Sequence, residues 1–199
     1  MNGTPIDVPR ADQDAAFALG ARWNEPNQTW YVPRGLNLGS FKRWAVDPNK
    51  PKLTAELVPE TCFCSNVRDH VPTETWRALS REVYRQANYK CEICGCQGPT
   101  HPVENHEVWR YENGVQTLVR LIALCPACHL CKHPGFAEVK GRLEEVYEQL
   151  MRVNKWTRFQ AHQHLAHAFA EWERRSQQQW KLDLSYLERT YGLSVVEKR

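Results

Sequence analysis

No run of apolar residues in this chain is long enough to cross a bilayer as a helix. The first residues, MNGTPIDVPRADQD, are not a basic start followed by an apolar block, so no secretory signal is read and a cytoplasmic location is expected. There is no glycine-rich phosphate cradle and no serine nucleophile elbow, which leaves P-loop nucleotide hydrolysis and esterase chemistry without support. Internal repeats and low-complexity tracts are missing too. Charge of one sign is scarce: the net value is +3 with a pI of about 8.4, which tolerates a polyanionic partner without demanding one.

What remains is a chain of 199 residues, 42% hydrophobic and 25% charged, in the range of soluble globular proteins. That length suits one ordinary domain or two small ones. It carries 8 cysteines and 8 tryptophans. In a reducing compartment cysteines at these spacings read as metal ligands before disulfides. Most tryptophans should pack in cores, and exposed ones can stack on bases.

Two Cys-x-x-Cys knuckles, Cys91/Cys94 and Cys125/Cys128, offer four sulfurs for one tetrahedral Zn²⁺. Cys96 crowds the first knuckle and reads as a spare thiol. Val103–Trp109 and Thr117–Leu124 read as two strands, joined through Asn113-Gly114, a pair suited to a hairpin turn with positive φ. Pro126 follows Cys125 where a helix can begin, placing His129 and His133 one turn apart on one helix face. In a strand, Glu104 and His106 share a face and Asn105 and Glu107 take the other.

Upstream, Ile6–Val8 reads as a strand, Ala15–Leu19 as a helix capped by Asp12 and closed by Gly20, Trp30–Val32 as a strand, and Ser40–Trp44 as a short helix. Arg22, Trp23, Trp30, Arg34, Lys42 and Arg43 form either a basic-aromatic surface or two core tryptophans with solvated arginines. The run Asp47 to Lys52 breaks helices and marks a boundary. Cys62 and Cys64 read as buried thiols with a metal pair as the alternative. A helix over about 74–88 buries Trp76, Leu79, Val83 and Ala87. Its Arg77, Arg81 and Arg85 either meet phosphates or pair with Glu74 and Glu82.

Downstream, Glu138–Val153 is an amphipathic helix weakened at Gly141, and Thr157 with Gln160 caps a second. His162, His164 and His167 scatter around that second helix, and Arg174-Arg175 gives it a basic end. Trp180–Leu184 is a short extended piece before a last helix closed by Gly192.

Two family resemblances add to this. The pattern from Ala11 to Pro33, with Ala21-Arg22-Trp23 and Trp30-Tyr31-Val32-Pro33, resembles a small domain of unknown function fused to plasmid and phage proteins that handle DNA, such as primases. The second stretch, Cys91, Cys94, His106, Leu121–Cys125, Cys128, His129 and His133, resembles the zinc-containing HNH endonucleases.

The HNH resemblance implies that His106 activates water and that His129 helps hold a divalent ion on the scissile phosphate. Glu104 and Asn105 are further candidates at that site, and His133 is a possible second helix ligand. Neutral imidazole suits the base role, and Mg²⁺ or Mn²⁺ would be the Lewis acid.

The expected fold is α+β: an accessory module over 1–47, a linker over 48–60, a zinc-stapled ββα-metal domain with its lead-in helix over 61–153, and a helical extension over 154–199. The expected activity is metal-dependent cleavage of double-stranded DNA. The alternative is a catalytically inactive, zinc-stabilised DNA-binding or scaffolding protein.

Overall fold

The structure is a computed structural model, and it describes residues 3–8, 12–25, 29–45, 50–63, 65–193 and 195. It divides into two compact units, residues 1–50 and 51–199. Both mix helices with a small three-stranded sheet, so the architecture is α+β.

In the first unit β1 (Gly3–Ile6) is followed by α1 (Gln13–Ala18), β2 (Arg22–Asn24) and β3 (Thr29–Pro33). A 3₁₀ helix over Leu38–Trp44 closes the unit. The sheet runs β1-β3-β2, antiparallel throughout. Gly20 ends α1 with φ of +101°, a conformation that glycine takes without strain. Asp12 precedes the helix but makes no side-chain cap. Its carboxylate accepts instead from Trp44 Nε1 at 2.8 Å, tying the two ends of the unit together.

The core holds Ile6, Val8, Ala16, Ala21, Val32, Phe41 and Trp44, with Trp30 packed partly against it. Trp23 is 42% exposed and Trp30 only partly covered, so the two do not both fill the core; the Arg22 guanidinium lies over Phe17 on the exposed side. The strand β2 escapes the sequence pattern because it is three residues long.

The second unit contains α2 (Val67–His70), α3 (Thr73–Gln86), β4 (Glu104–Glu112), β5 (Val115–Leu124), α4 (Pro126–Lys132), α5 (Pro134–Val139), α6 (Leu143–Asn154), α7 (Arg158–Ser176), β6 (Lys181–Asp183) and α8 (Ser185–Tyr191). β4 and β5 form an antiparallel hairpin, and β6 adds to β5 in parallel. Asn113 and Gly114 turn the hairpin with φ of +51° and +73°, the double positive φ that a two-residue loop requires.

The hairpin is a septum between two cores. Ile122 and Leu124 face a core completed by α4, α6 and α7. Leu118, Leu121 and Ala123 face the other, completed by α3 and α8. On α3, Arg77 pairs with Glu74 and Arg85 with Glu82 on the solvent side. The expected helix over 138–153 is two helices, because Gly141, at φ +66°, turns the chain between α5 and α6. Cys62 ends a 3₁₀ turn, Glu60–Cys62, and is buried, while Cys64 lies outside the described residues.

The expected linker needs correction. Residues 53–59 pack into the second unit: Leu53, Ala55 and Pro59 are buried. The Asn154 amide clips Leu53 by both its N–H (3.0 Å) and its carbonyl (2.8 Å). A side chain bridging both backbone groups of Leu53 completes what a sheet neighbour would supply.

A cysteine quartet and a histidine triad

The first site is sulfur. Cys91 opens a turn in which Gly95 N–H returns to the Cys91 carbonyl at 2.8 Å, with Gly95 at φ +74°. Glu92 fastens that turn to β5: its N–H reaches the Ala123 carbonyl at 2.9 Å and its carboxylate accepts from Ala123 N–H at 2.8 Å. Cys125 is the N-cap of α4, so Cys128 stands one turn further on. Sγ atoms of Cys91, Cys94, Cys125 and Cys128 all lie within 4.8 Å of one another, with Cys94 and Cys125 at 3.6 Å. Four thiolates around one Zn²⁺ sit about 3.8 Å apart, as Zn–S bonds of about 2.3 Å in a tetrahedron dictate.

The electrostatics ask for a cation. A hydrogen bond from Cys128 holds the Cys91 thiol down at about 4. Burial and the adjacent Cys91 charge push Cys94 up to about 12, and Cys128 rises because it donates to Cys91 and is buried. The Cys91 thiolate is favoured there, and a positive ion among the sulfurs would favour ionisation of Cys94 and Cys128 as well. The quartet can therefore hold a zinc ion. Gln149 Nε2 donates to Cys128 Sγ at 3.0 Å, a further bond to the sulfur from α6.

The second site is nitrogen. In β4, His106 pairs with Ile122 and Glu104 with Leu124, which puts both on the α4 face of the hairpin. α4 delivers His129 in its second turn and His133 at its C-cap, stacked at i, i+4. The three rings meet edge to face, with centroids 5.3 Å (His106–His129), 5.2 Å (His106–His133) and 4.9 Å (His129–His133) apart. A ligand nitrogen of each lies within 4.8 Å of the other two, and His129 Nε2 and His133 Nε2 are 3.3 Å apart.

Burial lowers His106, with the Glu56 carboxylate opposing. Burial and the two neighbouring histidines bring His133 down to about 3. Both rings are thus neutral near pH 7, with lone pairs to offer a metal. Three imidazole nitrogens suit zinc and its transition-metal neighbours, whereas Mg²⁺ and Mn²⁺ prefer the oxygen ligands that this triad does not supply.

The other candidates fall into place around this triad. The Glu104 carboxylate is hydrogen-bonded to His129 Nδ1, so it orients the His129 ring and leaves Nε2 without that partner. Asn105, expected beside it, pairs with Ala123 on the opposite face, where its amide donates to Ser80 Oγ at 3.2 Å. Glu107 accepts from Val67 N–H at 2.8 Å on that face, and burial pushes its carboxyl up to about 7.

His106 and His129 lie edge to face and both line one cavity. That cavity, about 520 Å³, is lined by the three histidines and by Arg68, Trp172 and Arg175 among others. His164 and His167 also line it, His164 accepting from Ala55 N–H at 2.8 Å, while His162 stacks on Tyr147.

Glu56 and Lys132 also border the triad, and sequence reading missed both. Lys132 Nζ lies 2.5 Å from Glu56 Oε1, and Glu56 Oε2 lies 3.4 Å from His106 Nε2. Burial raises the Glu56 carboxyl, but the bond to His106 and the Lys132 charge outweigh it and hold the group down at about 2. The available signal was alternation: Leu53, Ala55 and Leu57 interleave with Thr54 and Glu56, a period-two pattern in a stretch assigned to a linker.

Comparison with known proteins locates one part of the chain. Residues 4–45 match the family model of a domain of unknown function, DUF5710. Over 40 residues, 20% of this chain, the sequence is 48% identical to a DNA primase TraC of Escherichia coli and 42% identical to another of the same name. Those matches cover only 3% and 4% of the relatives' lengths. No HNH family match accompanies them. No solved structure matches the chain. Among the described residues, no helix is long and apolar enough to cross a membrane.

Proposed function

We propose that this chain is a metal-dependent nuclease that hydrolyses phosphodiester bonds in DNA, built on a ββα-metal core of the HNH kind. The convergence of His106, His129 and His133 at a cavity wall is the observation that carries this reading. The hairpin β4–β5, the helix α4 that follows it, and a sulfur quartet spanning both ends of the stretch support it. The primase relatives that share the first unit favour a nucleic-acid substrate.

His129 and His133 would hold the ion through Nε2, with His106 as the third ligand. Glu104 keeps His129 in the required tautomer. Three protein ligands and an open cavity side are the form of a site that works on a substrate, whereas four ligands close a structural one. When bound, such an ion supplies positive charge to the phosphate oxygens and acidifies nearby water. Arg68, on the same cavity wall, would pair with phosphates of the bound strand, while Arg175 beside it is already paired with Glu171.

A plasmid-nicking assay with Zn²⁺, Mn²⁺ and Mg²⁺ in turn tests the reading. Wild type is expected to cut, and His129→Ala to lose cutting while still binding DNA. A zinc-replete wild type that retains DNA and cuts with none of these ions would instead be a zinc-stabilised binding protein.

A further inference from the structure

Glu56 is unassigned by the hydrolytic reading, yet the chain spends several contacts on fixing it. The run that carries it is fastened along its length: Leu53 to Asn154, Ala55 N–H to His164 Nε2, and the Val58 carbonyl to Trp172 Nε1 at 3.1 Å. The carboxylate itself is clamped on one side. Its Oε1 lies 2.5 Å from Lys132 Nζ and 3.3 Å from Thr54 Oγ1, and Lys132 Nζ also reaches Thr54 Oγ1 at 3.1 Å. Lys132 is 3% exposed and stands between Cys131 and His133 on the helix that carries the triad. With Oε1 committed, only Oε2 is free to face His106 Nε2, 3.4 Å away.

We propose that Glu56, clamped by Lys132, is a positioning residue that fixes the tautomer of His106 by taking its Nε2 proton in a hydrogen bond and leaving Nδ1 as the nitrogen that faces the ion. This rests on the reading of the three histidines as an ion site. A neutral imidazole has one donor nitrogen and one acceptor nitrogen, so the partner of the first decides which nitrogen is left to ligate. The same logic operates at His129, where Glu104 takes Nδ1 and Nε2 is left facing His133. Two of the three imidazoles are thereby oriented by a carboxylate, one brought by β4 and one by a segment 50 residues upstream of His106. Lys132 has a second consequence. By holding Oε1 it keeps Glu56 from turning inward as a fourth ligand, and the triad keeps its open side.

The test leaves DNA out. Protein whose sulfur quartet is already filled with Zn²⁺ is titrated with Co²⁺, and the visible absorption of the second ion is followed in wild type, Glu56→Ala, Glu56→Asp and Lys132→Met. Glu56→Ala is expected to weaken Co²⁺ binding about 10–100-fold, the usual effect of removing a carboxylate behind a ligating histidine. Zinc at the quartet should be unchanged. Glu56→Asp should recover part of the loss, and Lys132→Met should alter the absorption band, because a released carboxylate can then enter the ligand set.

Wild-type affinity in folded Glu56→Ala would overturn the proposal. Should that variant not fold, equal affinity and an identical band in Glu56→Asp and Lys132→Met would overturn it. Failure of wild type to take up Co²⁺ at a second site would remove both this proposal and the nuclease reading. Tight Co²⁺ binding with the expected loss in Glu56→Ala, but no DNA cleavage by wild type, would remove the nuclease reading alone.

Discussion

The quartet and the triad share one short helix and are built on opposite plans. Cys125 and Cys128 flank the first turn of α4, and His129 and His133 occupy the rest of it. The quartet is closed: Cys91, Cys125 and Cys128 are buried, Cys94 is partly covered, and every donor is a sulfur. The triad opens on a cavity, its donors are imidazole nitrogens, and carboxylates stand behind two of them. A closed tetrathiolate site uses its metal to hold chain together, whereas an open three-ligand site leaves its metal a position to act from. The same helix therefore carries a closed sulfur cluster at its start and a nitrogen cluster open to a cavity at its end.

The largest expected effect breaks the staple. Cys128→Ser should cost the second unit its folded state, since metal binding at such sites supplies on the order of 10 kcal/mol of folding free energy. Loss of near-ultraviolet circular dichroism together with loss of bound zinc would record it. His129→Ala should do the opposite: cleavage should fall at least about 100-fold, while the melting temperature moves only slightly and the quartet keeps its zinc. Equal damage to stability from both variants would erase the distinction between the sites.

A third expectation concerns the other face of β4. Glu107 has its folded pKa raised to about 7, from an ordinary value of 4.5. The folded state thus binds the proton more tightly than the unfolded chain does. Stability from this group is complete below pH 4.5, falls as pH rises to about 7, and is flat beyond. Glu107→Gln keeps the acceptor for Val67 N–H and should remove that slope, raising stability above pH 7 by ~3 kcal/mol. Urea denaturation at several pH values measures it, and Co²⁺ affinity at the triad should not change.

The smallest effect lies behind the quartet. Gln149→Met removes the N–H···S bond to Cys128 and should weaken zinc about tenfold, read by competition with a chelator.

Local chemistry made much of this legible in advance. The Cys-x-x-Cys spacing, the Asn113-Gly114 turn, Pro126 at a helix start and the i, i+4 pair His129/His133 are all decided within a few residues. Strand alternation correctly placed Glu104 with His106 and Asn105 opposite. Illegible features depend on distance. Glu56 meets His106 across 50 residues. β6 joins β5 only after four intervening helices. No local pattern shows that a run following helix-breaking prolines will be pinned by Asn154 and His164. Gly141 was noticed as a weakness, and its left-handed φ makes it a break between α5 and α6.

The most direct measurement of the central claim is anomalous scattering at the zinc edge from crystals of zinc-loaded protein. Two peaks are expected in each chain, one inside the four sulfurs and one among His106, His129 and His133. A single peak, at the sulfurs alone, would contradict the account.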